Sequence, residues 1–366
     1  MHKLTSAKPV LIENELWFVS DSALYKMQCG EWKTKLVADF AEFGFVGSKR
    51  VVFDRGNLYC ISLKDNTIIV FNIENSEAKQ YIMKCNIHNV YKEVFLYDGR
   101  LFWLPSKLDI SPIIYNINTK KCKTLEWQKE IEKNKISGEI IIPCIRNGII
   151  YATIKDSKKI ISYSLINGEL RVFNLDIPFI PHSIECVYDF FIITTKQKKL
   201  IYKWYPEKGI IQTYDNVQNK GEGYTRSIFI EDVLFLINQT DVDFFEMKKD
   251  NFGSLNVKSL NFNAVKGSRY IFGGAINTTY YLFPHVIDSG GMLKIDRNSF
   301  SCSVEEIVRS EEDTLAMHIN KYGLASEKND SLTAFFKYLL DDPHQSAEKS
   351  ISNQGKKIFE TIRSDK

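Results

Sequence analysis

A chain of 366 residues with 44% hydrophobic and 25% charged side chains has the composition of a folded globular protein and excludes extensive disorder. Its net charge of +3 is small and its Lys and Arg are scattered, so no nucleic acid is expected as a partner. No stretch reaches the ~18 apolar residues of a membrane-spanning helix, and Met1 to Phe18 lacks the apolar core of a secretion signal.

Cysteine usage points the same way. Cys29, Cys60, Cys85, Cys122, Cys144, Cys186 and Cys302 are odd in number and include no CxxC pair. The expectation is reduced structural thiols, a cytoplasmic location, no zinc site and no cofactor.

In chain order, the first predicted strand, Val10 to Ile12, is followed by an apolar strand from Leu16 to Val19. A third strand places Tyr25 and Met27 two residues apart, hence on one face. A tight turn at Cys29 and Gly30 and a short last strand complete the unit. The same succession then recurs. The apolar second strands begin at Leu16, Leu58, Leu101, Ile150, Phe190, Leu234 and Tyr281, separated by 42, 43, 49, 40, 44 and 47 residues. The third-strand column reads Tyr25, Phe71, Tyr115, Tyr163, Trp204, Phe245 and Leu293. Turn residues follow each time, among them Asn75 and Ser76, Asn118 and Thr119, Asn167 and Gly168, and Lys208 and Gly209. Asn and Gly serve there because they tolerate a positive φ.

Seven four-stranded units at a period of about 44 residues predict an all-β fold, a seven-bladed β-propeller of antiparallel blades. A lone four-stranded sheet exposes two apolar faces, and stacking seven of them around an axis buries both. The repeats resemble propellers of the broad WD40 and kelch-like class, without matching a specific subfamily: no WD dipeptide ends the third strand, and the glycine pairs Gly273-Gly274 and Gly290-Gly291 sit at non-equivalent places. Leu104-Pro105, Phe283-Pro284 and the segment from Gly355 to Phe359 also resemble propellers of Gram-positive polysaccharide and glycosyltransferase loci. That resemblance implies a link to bacterial glycan biosynthesis.

After Val308 the pattern turns helical. Residues 1–308 are expected to form the propeller and residues 309–366 a helical C-terminal extension packed on it. Phe335, Phe336 and Leu339 share a helix face there and are candidate partner-binding anchors. No strand looks exchanged between the first and last repeats, so closure of the ring is expected from side-chain contacts, with the extension stapling the seam.

Chemistry is sought where the innermost strands begin, since the loops entering first strands and those leaving second strands share one face. Counting back eight residues from each second strand gives Lys8, Arg50, Glu93, Ile142, His182, Arg226 and Gly273, with Lys49, Lys92, Glu139, Thr225 and Arg269 nearby. Arg50, Arg226 and Arg269 suit a carboxylate, phosphate or acidic side chain. Glu93 and Glu139 suit sugar hydroxyls or those arginines, and Tyr91 and Tyr224 suit stacking on a sugar or peptide. His88, His182 and His285 fall on the same face, but not at equivalent repeat positions, and no metal site is predicted. No nucleophile elbow, metalloprotease or phosphate-loop motif occurs.

The expected function is non-enzymatic: a binding or scaffold protein taking a protein or glycan ligand at the axial funnel. The alternative is a carbohydrate-active or lyase-type enzyme at the same place, with Glu93, Glu139 and His182 as acid and base groups.

Overall fold

In the computed structural model, the described residues are 4, 8–20, 22–45, 50–62, 66–85, 91–215, 222–238, 241–247, 256–263, 269–287 and 291–309. Seven antiparallel sheets follow one another as blades 1 to 7, spanning residues 10–39, 50–82, 91–124, 140–174, 181–215, 226–259 and 270–305. Each is a simple up-and-down meander in sequence order. First strands of successive blades lie against one another from blade 1 to blade 7, so the first strands ring the axis.

The packing explains why the repeat was visible in the sequence. A second strand is covered on both faces by its own blade's neighbours. Phe190–Thr195 and Val233–Ile237 are accordingly buried at every position, and such strands read as unbroken apolar runs rather than alternating ones. The described apolar residues fall into seven clusters, one per seam between blades. That one-to-one match fixes the count at seven blades.

All seven first hairpins turn through a residue of left-handed backbone: Glu13, Arg55, Asp98, Asn147, Tyr188, Glu231 and Asn277, with φ between 46° and 53°. Gly148 completes the fourth of these turns at φ 72°. A Cβ there would lie 2.6 Å from the Tyr97 ring, so glycine is required by space as well as by φ. On the third hairpin of blades 2, 3, 4 and 7, Asn72, Asn116, Ser164 and Asp296 each accept two backbone N–H bonds across the turn.

Two features depart from the sequence reading. An α-helix, Gln128–Lys133, lies between blades 3 and 4 and occupies the longest repeat interval; Trp127, Ile131 and Ile136 pack it onto that seam. The ring is closed by backbone as well as by side chains. Val308–Arg309 adds in parallel to the outer strand of blade 1, with Val308 opposite Lys33 and Arg309 opposite Thr34. An outermost strand has unpaired N–H and C=O groups, and the chain leaving blade 7 meets them. The first residue assigned to a helical extension is therefore in a strand. The rest of that extension, with Phe335, Phe336 and Leu339, lies outside the described residues.

Candidate binding site at the axial mouth

The register of each blade decides which residues are equivalent at the mouth. Arg50 pairs with Ile61, Glu93 with Leu104 and Arg226 with Ile237, all at one repeat position. In blade 7 the position belongs to Arg269, whose carbonyl accepts the His285 N–H at 2.8 Å, and Gly273 sits three pairs deeper opposite Leu282. In blade 5 it belongs to Ser183, opposite Thr194, and His182 is the extra residue of a bulge. Counting residues failed in blade 5 because Phe190 stands one residue before the position equivalent to Leu58, and in blade 7 because the first hairpin carries two more residues on each strand, with the bulge at Ile271 adding one more.

Bulges also explain what the arginines do. Lys92, His182 and Ile271 are each skipped in the pairing of their innermost strands, which frees a carbonyl from the ladder. Each carbonyl is met by a side chain of the preceding blade. Arg50 Nη2 donates to Lys92 O at 2.9 Å, Thr153 Oγ1 to His182 O at 2.9 Å, and Arg226 Nη1 to Ile271 O at 2.8 Å. Blades 2, 4 and 6 are thus tied to blades 3, 5 and 7. Ser183 Oγ lies 3.0 Å from Ser227 Oγ and links blade 5 to blade 6.

Charge gathers around these ties. Arg50 Nε lies 2.9 Å from Glu93 Oε1, and both side chains are 13% exposed. Burial pushes the Glu93 carboxyl up, but Arg50, Lys8, the Val94 N–H and Arg226 outweigh it and hold the group below its ordinary value. Arg226, Lys8 and Lys92 form no ion pair within 4.0 Å among the described residues. Lys8 lies beside Arg50 in a parallel bridge with its ammonium over the Phe95 ring. Burial lowers the Lys92 ammonium, helped by Arg50 and Arg226 and opposed by Glu139 and Glu93.

Glu185, on the innermost strand of blade 5, was not singled out from the sequence. Burial raises its carboxyl to about 7, against the lowering influence of Lys8, Arg226 and the Cys186 N–H. His182 is lowered, by burial first and then by Lys196, Lys92 and Arg226. Every charged group acting on that imidazole is a cation.

The remaining candidates divide. Tyr91 and Tyr224 are buried in seams, where their hydroxyls donate to Ser111 O at 3.1 Å and Asp243 Oδ2 at 2.8 Å, so neither presents a ring for stacking. Glu139 is exposed and pairs with Lys155 at 3.3 Å. Arg269 is exposed at the rim. His88 and Lys49 lie outside the described residues. Among the described residues no three His, Cys, Asp or Glu side chains group as a metal site, and no helix is long and apolar enough to cross a membrane.

The cysteine reading needs one correction. Cys85 and Cys122 form a disulfide with a Cα separation of 6.5 Å, joining the segment after blade 2 to the outer strand of blade 3. Cys29, Cys60, Cys144, Cys186 and Cys302 are free. Burial raises all five thiols, and Cys144 also feels Glu185 and Cys186.

The opposite face carries shallow grooves of about 270, 440 and 260 Å³ between blades 2 and 3, 3 and 4, and 4 and 5. They are lined by hairpin turns, and none reaches the charged cluster.

No protein-family model matches the chain, and no curated protein matches it. Solved structures do. The computationally designed Ika8 protein is similar at TM-score 0.57 and 10% identity, covering 84% of this chain and 90% of that one. A catalytically inactive virginiamycin B lyase from Staphylococcus aureus, crystallised with quinupristin, is similar at TM-score 0.53 and 11% identity, covering 71% and 84%. The β-propeller domain of Cps50 (Swd1) from Myceliophteria thermophila is similar at 0.52 and 7%, covering 78% and 94%. At such identities these likenesses establish the fold, a seven-bladed propeller of WD40-like architecture, and leave function to the site.

Proposed function

We propose that this protein is a non-enzymatic binding or scaffold protein whose recognition surface is the axial mouth, and that its partner is a protein or glycan carrying negative charge. The observation that carries this reading is the convergence of Lys8, Lys92, Arg226 and the rim residue Arg269 on the face where innermost strands begin. Charged groups gathered over low-dielectric walls focus a field that steers an oppositely charged partner. The ring behind them is tied blade to blade, so the surface is preorganised and binding orders little.

The acid and base roles of the enzyme alternative fit poorly. Glu93 is held ionised by Arg50, and Glu139 is exposed and occupied by Lys155. The glycan-biosynthesis link rests on short sequence matches and stays part of the proposal, as does a cytoplasmic location.

The test uses the whole chain. Lys92→Glu with Arg269→Glu reverses exposed rim charge without touching the blade-to-blade ties. Loss of the partners that co-purify with the wild type, identified by mass spectrometry and restored by Lys92→Arg with Arg269→Lys, supports the mouth as the surface. Unchanged capture overturns it.

A further inference from the structure

We propose that the groove between blades 3 and 4, on the face opposite the mouth, is a docking site for an acidic peptide segment that carries an apolar side chain among its carboxylates. It is a second surface, and it stands whether or not the mouth takes a partner.

The groove measures about 440 Å³, more than either of its neighbours, and lies in the size range of ligand-binding clefts. Its charged residues are Arg100, Lys121 and Lys123, and no Asp or Glu lines it. The neighbouring grooves balance their charge. Between blades 2 and 3, Lys79 and Lys120 are accompanied by Glu77; between blades 4 and 5, Arg146 and Lys208 are accompanied by Asp189 and Glu207. The outer strands make the same contrast. Lys79 of blade 2 pairs with Glu77 at 3.4 Å, and Arg171 of blade 4 pairs with Glu169 at 2.7 Å, each glutamate two residues earlier. In blade 3 the residues two before Lys121 and Lys123 are Thr119 and Lys121. Arg100, Lys121 and Lys123 form no ion pair among the described residues.

Strand register gathers these cations on one side of the blade. Arg100 stands opposite Asn116, and Asn116 opposite Lys121; Lys123, opposite Ile114, follows on the same side. At ordinary strand and residue spacings, their three Cα atoms lie within about 12 Å of one another. Cys122, between the two lysines, packs in the seam with blade 2 and is bonded to Cys85, which holds the strand in place. The surface is thus preorganised.

The floor is apolar. Ile114 and Leu125 lie partly open beside the buried Leu165, and Ile166 at the rim is 67% exposed. The one aromatic side chain lining the groove, Tyr163, is buried in the seam, so a nucleobase or sugar ring has no free ring to stack on. A peptide meets both demands, with carboxylates for the cations and an apolar side chain for the floor.

The experiment is fluorescence anisotropy of the full chain with a labelled synthetic peptide of Asp and Glu around a Leu-Leu pair, at near-physiological salt. Saturable binding is expected. Replacing the Leu pair by Ser, or the acids by Asn and Gln, should weaken it at least about tenfold. Lys121→Glu with Lys123→Glu, and separately Ile166→Ser, should weaken the original peptide to a similar degree, while Lys121→Arg with Lys123→Arg retains it. Lys79→Glu with Lys208→Glu, in the neighbouring grooves, should leave binding unchanged. All of these side chains are exposed, so wild-type melting temperatures are expected throughout and separate lost binding from lost folding. No saturable binding of the peptide overturns the site, as does binding indifferent to Lys121→Glu with Lys123→Glu or lost equally in the neighbouring-groove variant. Binding that ignores both Ile166→Ser and the loss of the Leu pair overturns the apolar half. A heparin oligosaccharide held by Lys121 and Lys123 where the peptide is not would assign the groove to an anionic glycan, and self-association lost in the same variants would assign it to a second copy of the chain; either result overturns the peptide.

Discussion

The ammonium of Lys199 lies 2.8 Å from Oδ2 of Asp243, and the Asp243 side chain is wholly buried. The pair joins blades 5 and 6. Tyr224 donates to the same oxygen at 2.8 Å, and Ser259 to Oδ1 at 2.6 Å. A buried ion pair returns its desolvation cost only when its remaining lone pairs are filled, and here they are. Asp243→Ala strands the Lys199 charge and is expected to cost about 3–5 kcal/mol in urea unfolding. The double change Lys199→Met with Asp243→Leu should recover most of that loss. A single variant as stable as the wild type would show that the pair matters little.

Ring closure gives a second test. The Val308 N–H donates to Trp32 O at 2.9 Å, while its side chain is 51% exposed. Val308→Pro removes the donor and is expected to cost about 1–3 kcal/mol. Val308→Ala keeps the backbone bond and should stay within roughly 0.5 kcal/mol of wild type. Equal effects of the two in thermal unfolding would mean that strand pairing does not hold the seam.

Glu185 links folding to pH. Its carboxyl goes from an ordinary 4.5 to about 7 in the folded chain, so the folded state holds the proton more tightly than the unfolded state. This contribution is fully present below 4.5 and is lost as pH rises through about 7. Glu93 runs the opposite way: held low, it supports the fold above its ordinary value and stops doing so on acidification. E185Q should therefore raise the melting temperature relative to wild type on the alkaline side of 7 and change it little in acid. The reverse ordering in a pH series of melting curves would contradict the assignment.

The Cys85–Cys122 bond closes a loop of sequence separation 37 between neighbouring blades. Reduction is expected to cost roughly 3 kcal/mol, chiefly by freeing the unfolded chain. Non-reducing peptide mapping should recover these two cysteines linked. The melting temperature should fall with a thiol reductant in wild type and stay constant in the variant carrying Cys85→Ser and Cys122→Ser. Such bonds persist in oxidising compartments, so mapping on protein taken directly from its native source also reports where it resides.

The strands that announced the fold are those with the least freedom. Leu16, Phe18, Leu58, Leu101, Phe102 and Leu234 sit where two blades press on one sheet, and nothing polar fits there. The outer strands are half exposed, as in Lys121–Thr124, and carried a weaker signal. At the mouth, Arg50, Glu93 and Arg226 were placed correctly because their blades keep one register between the aromatic column and the strand start. His182 and Gly273 were misplaced because Phe190 precedes the position equivalent to Leu58 by one residue and the first hairpin of blade 7 is two pairs longer than its counterpart in blade 2. Tyr91 and Tyr224 resembled surface aromatics in sequence but fill seams.

By itself the sequence determined the seven repeats, their four-stranded content and the face on which charge collects, because burial on two sides and hairpin turns each demand a restricted set of residues close together in the chain. Only the tertiary structure decided that Val308 reaches back to Lys33, that Cys85 finds Cys122, and that Glu185 lies within electrostatic reach of Lys8 and Arg226. Those relationships join residues from different blades, and their pairing depends on how the ring closes, which no local pattern encodes.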